Sequence, residues 1–307
     1  MRLLIIGISG FVGPYLANEF LSNGYEVFGS DLLRSEAIPS QVQFVKCNIL
    51  DSQEVKDLIN NIEPDMIINL AAISSVGVSW SKPQDTVEVN VVGGLNILEA
   101  ARSMIRKPKV LFVGSSEEYE SSDNPINEKS KINANNPYGI SKVTQESFAS
   151  LYGSRYGMKI YCVRPFNHIG IGQRDSFVIP SFCKQVAEIE KSGKPGVIQV
   201  GNLKAERDFS DVRDIVRAYR LIIESDDCSI IYNVGSGSAY SLDFILNRII
   251  SFSSQKISVK IDPDRFRPID TPRICCDSTL IRSNLNWKPE HDVFDTMREI
   301  YDYYCRQ

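Results

Sequence analysis

Histidine is almost absent from this chain: His168 and His291 are the two in 307 residues, which argues against a metal centre built on imidazoles. The seven cysteines (Cys47, Cys162, Cys183, Cys228, Cys275, Cys276 and Cys305) are scattered, odd in number and without a CxxC pair. A disulfide frame or structural zinc is therefore not expected, and reduced, buried thiols are. There is no excess of basic charge: Lys+Arg 34 against Asp+Glu 38 gives a net charge of −4. Nothing general draws the chain to nucleic acid or an anionic membrane, so an anionic ligand must be gripped by placed cations. No apolar run approaches the ~20 residues of a membrane span, and Leu3 to Ile6 is too short for a signal-peptide core. The expectation is a cytoplasmic protein with no membrane or nucleic-acid partner. Internal repeats, low-complexity tracts and Pro/Gly/Ser linkers are also missing, which predicts tightly packed lobes sharing a cleft.

What is present is a hydrophobic fraction of 43%, enough to build one large domain or two smaller ones. Leu3-Leu4-Ile5-Ile6 is an apolar run ending in glycine, followed by helical spacing through Leu16, Ala17 and Phe20 to Asn23-Gly24. Further strands are expected at 26–29, 42–45, 66–70, 110–113 and 160–163, with helices at 52–62, 85–102 and 137–156. Short apolar strands alternating with helices predict an α/β fold, a doubly wound parallel sheet of the Rossmann type over residues 1–165. After Pro165 the alternation becomes irregular and Gly and Pro are frequent from 170 to 195. Strand candidates follow at 197–200, 230–234 and 258–261. Residues 166–307 are expected to form mainly a smaller, loop-rich substrate lobe, with later segments contributing strands to the first sheet.

Gly7-Ile8-Ser9-Gly10-Phe11-Val12-Gly13 lies between the first strand and the first helix. Its glycines permit a tight turn and close backbone approach, and the helix N-terminus offers free N–H groups to a pyrophosphate. Asp31 ends the second strand, about 20 residues after the glycines, where an acid accepts hydrogen bonds from a ribose. It favours NAD(H) by repelling a 2′-phosphate, while Arg34 nearby leaves NADP(H) possible. Asn48, after the third strand, is a candidate for the adenine edge. Leu70-Ala71-Ala72, after the fourth, lets backbone approach the cofactor.

Tyr138 and Lys142 are four residues apart and share one helix face. A neighbouring ammonium is expected to lower the phenol's proton affinity from its usual value near ~10, and such a tyrosine can exchange a proton with a sugar hydroxyl or carbonyl. Ser115, just past the fifth strand, supplies a hydroxyl for the reacting oxygen.

Together these residues resemble the extended short-chain dehydrogenase/reductase family, the NAD-dependent epimerase/dehydratase group acting on nucleotide sugars. The resemblance covers nearly the whole chain and includes the glycine loop, residues 69–72, the Asn90-Val91-Val92-Gly93-Gly94 helix, Ser115 with Tyr138 and Lys142, and Arg164-Pro165-Phe166-Asn167. It implies that Ser115, Tyr138 and Lys142 are catalytic, that Lys142 also holds the nicotinamide ribose, and that Phe11, Val12, Ile49 and Pro165 complete the cofactor contacts. Ser115-Ser116-Glu117-Glu118-Tyr119, Phe166 to Gly170 and Arg207 to Asp214 are similar to the GDP-mannose branch. The length, without the insertions of the dehydratases, is closer to the reductases; Glu120 departs from the pattern, standing where a glycine usually follows the tyrosine.

The implied activity is NAD(P)H-dependent reduction of the C4 ketone of GDP-4-keto-6-deoxy-D-mannose. The alternatives are GDP-mannose 4,6-dehydration, in which Glu117 would be the base, a sugar 4-epimerase, and a catalytically silent NAD-sensing or scaffold protein. Arginine forks match phosphate oxygens, and the resemblance places Arg207 and Arg267 around the substrate diphosphate, with Ser75, Glu117 and Asn167 also at the substrate. Asp211 and Asp214 are expected in salt bridges, His168 in the interior or at the site, and His291 without a functional role. The family resemblance implies a homodimer formed through helices 85–102 and 137–156.

Overall fold

The computed structural model describes residues 1–228, 230–263 and 271–307. Seven parallel strands form the central sheet: β1 (Arg2–Ile6), β2 (Glu26–Asp31), β3 (Gln43–Lys46), β4 (Met66–Asn69), β5 (Lys109–Val113), β6 (Ile160–Pro165) and β10 (Tyr232–Val234). Their spatial order is β10-β6-β5-β4-β1-β2-β3. The chain winds outward from β1 in one direction through β2 and β3, then in the other through β4, β5 and β6. The order therefore reverses between β1 and β4, and the crevice at their carboxyl ends is where such sheets bind ligands.

Side chains along a strand alternate between faces, and β1 shows this directly. Leu3 and Ile5 pack beneath α1 (Val12–Ser22) and α8 (Val212–Glu224). Leu4 and Ile6 pack beneath α2 (Ser52–Ile62), α5 (Gly93–Ser103) and α6 (Pro137–Tyr156). Both faces are covered, so the strands carry no polar face to solvent. Each fully buried Leu, Ile or Phe, such as Phe20 on α1, contributes about 2 kcal/mol through loss of water contact.

The helix boundaries follow local chemistry. Asp51 caps α2 by accepting from the Gln53 and Glu54 amides. Asn136 caps α6, Pro137 fills its first turn, and Gly157 ends it at φ 62°. The expected helix over 85–102 is correct in position but not uniform. It runs as α4 (Pro83–Val87), a π-turn (Glu88–Val92) and α5. The wider turn is tied down by Asn90, whose carbonyl accepts from Gln145 Nε2 at 2.8 Å and whose Nδ2 donates to Ser141 Oγ at 2.8 Å. A single sequence carries no periodicity signal for one extra residue in a helix.

The second half is more regular than its glycine and proline content suggests. β7 (Asn167–Ile169), β9 (Glu206–Asp211), β11 (Ala239–Ser241) and β13 (Arg273–Ile274) form a small sheet, and β8 (Gly196–Val200) pairs β12 (Ile257–Ile261). α7 (Val178–Ser192) occupies much of the stretch read as loop; its Pro180 is tolerated because it falls in the first turn, where amides lack partners. α7 packs with α9 (Leu242–Ile250) and α11 (Val293–Arg306) around a separate core including Phe182, Val186, Ile245 and Ile300. α8 and α10 (Thr279–Leu285) instead join the core of the large sheet, with Trp287 buried beside them.

Asp211 and Asp214 serve packing, as expected. Arg213 Nε donates to Asp211 at 2.9 Å, and Asp214 accepts from the Glu290 and His291 amides and from Arg217, each at 3.0 Å. His291 thus pins the entry to α11.

Candidate active site

The candidate residues come from carboxyl ends of neighbouring strands. Gly7 follows β1, Asp31 ends β2, Asn48 and Ile49 follow β3, and Leu70, Ala71 and Ala72 follow β4. Ser115 and Glu117 follow β5, while Pro165 ends β6 and Asn167 opens β7. Six separate stretches of sequence, the last running from Pro165 to Asn167, are thereby brought to one edge.

At the glycine loop, Gly7 adopts φ +83°, and a Cβ there would lie 2.4 Å from the Ala71 amide. A Cβ on Gly13 would lie 2.0 Å from the Ile8 carbonyl oxygen. At Gly10 a Cβ would meet only the Gly7 oxygen, at 3.3 Å. The loop is therefore closed against protein at its ends and open in the middle. Helix α1 has no side-chain cap and no acid in its first turn, whereas α2, α6, α8, α9 and α11 are each capped by Asp, Asn or Ser. An N-terminus so prepared fits a pyrophosphate.

Asp31 shapes the same loop: its oxygens accept from the Ser9 amide at 3.0 Å and the Leu32 amide at 2.7 Å. A carboxylate has about four acceptor directions, so these bonds leave capacity for ribose hydroxyls. Asn48 Oδ1 accepts from the Leu50 amide at 3.1 Å, and Ile49 packs against Gly93. Phe11 stacks on His168, with ring centroids 6.1 Å apart and planes inclined by 10°. His168 is half-buried and held by the Phe166 carbonyl at 3.0 Å, and loss of water lowers its proton affinity.

Tyr138, Lys142 and Ser115 are all buried, and the Ser115 side chain lies close enough to the Tyr138 phenol to lower its proton affinity. Ser115 caps the short turn Ser116–Glu118, its Oγ accepting from the Glu117 amide at 3.1 Å. Lys142 Nζ donates to the Val113 carbonyl at 2.7 Å and lies 5.9 Å from the Tyr138 ring centroid.

The electrostatics correct the sequence-based reading of the tyrosine. Burial pushes the Tyr138 phenol well above its ordinary value; the Ser115 side chain opposes this, and the Glu117 and Glu118 charges add to it. Burial also brings Lys142 down to about 8, partly offset by Glu118. The i, i+4 spacing gave the shared face, but the loss of water in the closed crevice outweighs proximity.

Glu117 Oε2 accepts from Asn136 Nδ2 at 2.9 Å, and Asn136 Oδ1 receives the Gly139 amide at 2.9 Å. Asn136 was not read as a site residue; an Asn-Pro pair before a helix gives a capping signal but no indication of its second partner. Asn167 Nδ2 is buried without an acceptor among the described residues, which fits a ligand oxygen. Ser75 caps α3 (Val76–Ser81) through its Oγ and the Val78 amide at 3.3 Å. Arg207 is buried, its Nη1 donating to the Glu206 and Thr271 carbonyls at 2.9 and 2.7 Å. Arg267 lies outside the described residues. Glu120, the departure from the family pattern, turns outward to Lys131 and Asn133, each at 3.1 Å.

A parallel doubly wound sheet, a glycine loop at its switch point and a buried Ser-Tyr-Lys set define an extended short-chain dehydrogenase/reductase. Comparison narrows this class. Residues 4–300 match the model of the GDP-mannose 4,6 dehydratase family, and the chain belongs to that family. It is 28% identical to a GDP-6-deoxy-D-mannose reductase of Pseudomonas aeruginosa over 97% of this chain and 95% of that protein. The structure of RMD from Pseudomonas aeruginosa complexed with NADPH superposes with a TM-score of 0.87 at 27% identity, covering 99% of each chain. A UDP-glucose 4-epimerase from Thermus thermophilus, in complex with NAD, gives 0.88 at 27% identity, again over 99% of each chain.

Proposed function

We propose that the protein reduces the C4 ketone of GDP-4-keto-6-deoxy-D-mannose to a GDP-6-deoxyhexose such as GDP-D-rhamnose. The observation that carries this reading is the burial of Ser115, Tyr138 and Lys142 together, at the sheet edge where the glycine loop opens. Full-length similarity to a reductase of this class supports the substrate.

A nicotinamide cofactor would be held by Gly7, Gly10, Phe11, Val12 and Gly13 at its pyrophosphate, by Asp31, Asn48 and Ile49 at the adenosine end, and by Leu70, Ala71, Ala72, Pro165 and Lys142 toward the nicotinamide. Asp31 favours NAD(H), with NADP(H) accommodated beside Arg34. The bound cofactor supplies hydride to C4.

The protein's part is to deliver the proton and fix the oxygen. As the C4 carbonyl takes up hydride, its π electrons move to oxygen, and the Tyr138 hydroxyl proton passes to that alkoxide. Tyr138 carries its proton at neutral pH, as a proton donor must. Ser115 donates to the same oxygen and orients it. The phenolate left behind is stabilised by the Lys142 ammonium until solvent returns the proton. Asn167, Ser75, Arg207 and Arg267 would bind the GDP-sugar. Cofactor contacts fall within residues 1–165 and most substrate contacts within 166–307.

A GDP-mannose 4,6-dehydratase is the second reading, favoured by Glu117: its half-buried carboxylate is held beside the start of α6 by Asn136, suitably placed for a base at C5. Outward apolar residues Val87 and Val92 on one helical run and Ile140 and Leu151 on α6 support homodimer formation across these helices. Among the described residues no helix is long and apolar enough to cross a membrane. Seven free thiols fit the reducing cytoplasm.

The experiment is incubation with GDP-4-keto-6-deoxy-D-mannose and NADH or NADPH, following nicotinamide absorbance, beside GDP-mannose alone with product analysis. Cofactor oxidation that disappears in Tyr138→Phe is expected. Conversion of GDP-mannose to a 4-keto sugar without net cofactor oxidation would move the activity to the dehydratase.

A further inference from the structure

Behind Ser115 lies a cluster of buried charge that the proposed proton transfer does not use. Glu118 is fully buried, and its Oε1 accepts from the Ser115 amide at 2.7 Å, closing a reciprocal cap on the turn that carries Ser115 and Glu117. Gly114 leaves room for it: a Cβ there would lie 2.4 Å from that oxygen. The other oxygen of Glu118 lies 3.3 Å from Arg164 Nε on β6. Arg164 is 4% exposed, and its guanidinium also grips Glu146 on α6, one turn beyond Lys142. Its Nη1 donates to the Tyr119 hydroxyl at 2.8 Å, and that hydroxyl donates to Asn233 Oδ1 on β10 at 2.7 Å.

Glu118 and Glu146 share one guanidinium, so the three groups carry a net charge of −1 when ionised. Burial, with the Glu146 charge adding to it, raises the Glu118 carboxyl to about 8, against the pull of Arg164, the Ser115 amide and Lys142. The other titratable groups facing Glu118 are Tyr138 on α6 and Cys162 on β6, both held neutral by burial, with Glu117 and Tyr119 adjoining it on its own turn. An isolated buried pair is poor evidence for stability. This one is joined through the Ser115 amide to the serine of the site.

We propose that Glu118, beside Arg164 and Glu146, is a positioning residue that holds Ser115 toward the Tyr138 phenol. The inference rests on the reductase reading for its turnover test.

The test compares wild type with Glu118→Gln, which keeps an oxygen for the Ser115 amide but loses the charge, and Glu118→Leu, which loses both. The first readout is binding of NADH and NADPH by nicotinamide fluorescence at neutral pH, with no sugar present. Affinity is expected to be alike in all three forms, because Ser115 is placed for the sugar oxygen; a loss of cofactor binding in Glu118→Leu as large as its loss of turnover overturns the positioning role in favour of a general collapse of the site.

The second readout is turnover with the 4-keto sugar. Glu118→Leu is expected to lose about 100-fold in kcat with KM little changed, as misplacement of a reacting group does, while Glu118→Gln keeps most of it. Equal kcat in all three forms overturns the positioning role, as does an equal loss in Gln and Leu. Circular dichroism checks folding, and should Glu118→Leu fail to fold, the Gln variant still decides the role, since retained Ser115 geometry requires its kcat to survive. If wild type binds cofactor but does not reduce the ketone, the reductase reading falls, and dehydration of GDP-mannose in the same three forms then judges Glu118.

Discussion

Asn136 joins Glu117 to the start of the helix that carries Tyr138: one end of its amide donates to the Glu117 carboxylate at 2.9 Å, the other accepts the Gly139 amide at 2.9 Å. The base required by a dehydratase and the acid required by a reductase are therefore positioned by a single side chain. Which chemistry runs depends on whether Glu117 reaches a substrate proton. Glu117→Gln should keep ketone reduction within about 10-fold, because the amide still fills the site, and should abolish any dehydration of GDP-mannose, since general-base removal costs about 100-fold or more. Product analysis on both substrates checks this; loss of both activities together would show that Glu117 serves the proton transfer itself.

Lys142 predicts an unusual pH dependence of stability. Its proton affinity is lowered from 10.5 to about 8 in the folded protein, so between these values the unfolded chain binds more protons than the folded one. Linkage then makes stability rise with pH in that window, by at most about 1.4 kcal/mol per pH unit from this group. The contribution is opposed below pH 8, where the ammonium must be buried. In Lys142→Met this rise is expected to vanish. Urea unfolding of both proteins at pH 7.5, 8.5 and 9.5 measures the difference, and parallel stability curves would contradict the burial of a neutral lysine.

Asp31 should govern cofactor choice. Its carboxylate is fixed by the Ser9 and Leu32 amides, and its charge opposes a 2′-phosphate. Asp31→Asn is expected to weaken NADH binding about 10-fold, the scale of one lost charge-assisted hydrogen bond, and to strengthen NADPH binding. Fluorescence titration of both cofactors checks the prediction, which fails if the preference is unchanged.

Two glycines separate space from backbone conformation. Gly13→Ala places a methyl 2.0 Å from the Ile8 carbonyl, which α1 and β1 hold in place; a loss of about 3 kcal/mol is expected, the upper range for overpacking. Gly24 has φ +78° but nothing within 4 Å of its Cβ position, so Gly24→Ala should cost about 1 kcal/mol through backbone strain alone. Thermal unfolding of the two variants ranks them.

Much of the site was legible because its parts are local. The glycine loop reads from spacing between a strand and a helix, and Tyr138 with Lys142 from the helical repeat. The Glu118–Arg164–Glu146 cluster was not, although all three residues lie within motifs or helices recognised in the sequence. Arg164 is 46 positions from Glu118, and nothing in either stretch indicates that they meet. Asn90 shows the same limit: its pairing with Ser141 and Gln145 needs the π-turn, which hydrophobic periodicity does not record.

The sequence by itself determined the doubly wound sheet, the dinucleotide loop and the residue types available for proton transfer. These depend on period, turn chemistry and order along the chain. Only the tertiary structure decided that β10 pairs with β6 at the edge of the large sheet, that Asn136 holds Glu117 and Glu118 holds the Ser115 amide, and that burial raises the proton affinity of Tyr138. Burial and long-range partnering set these properties, and both come into being when distant segments close around the same volume and exclude its water.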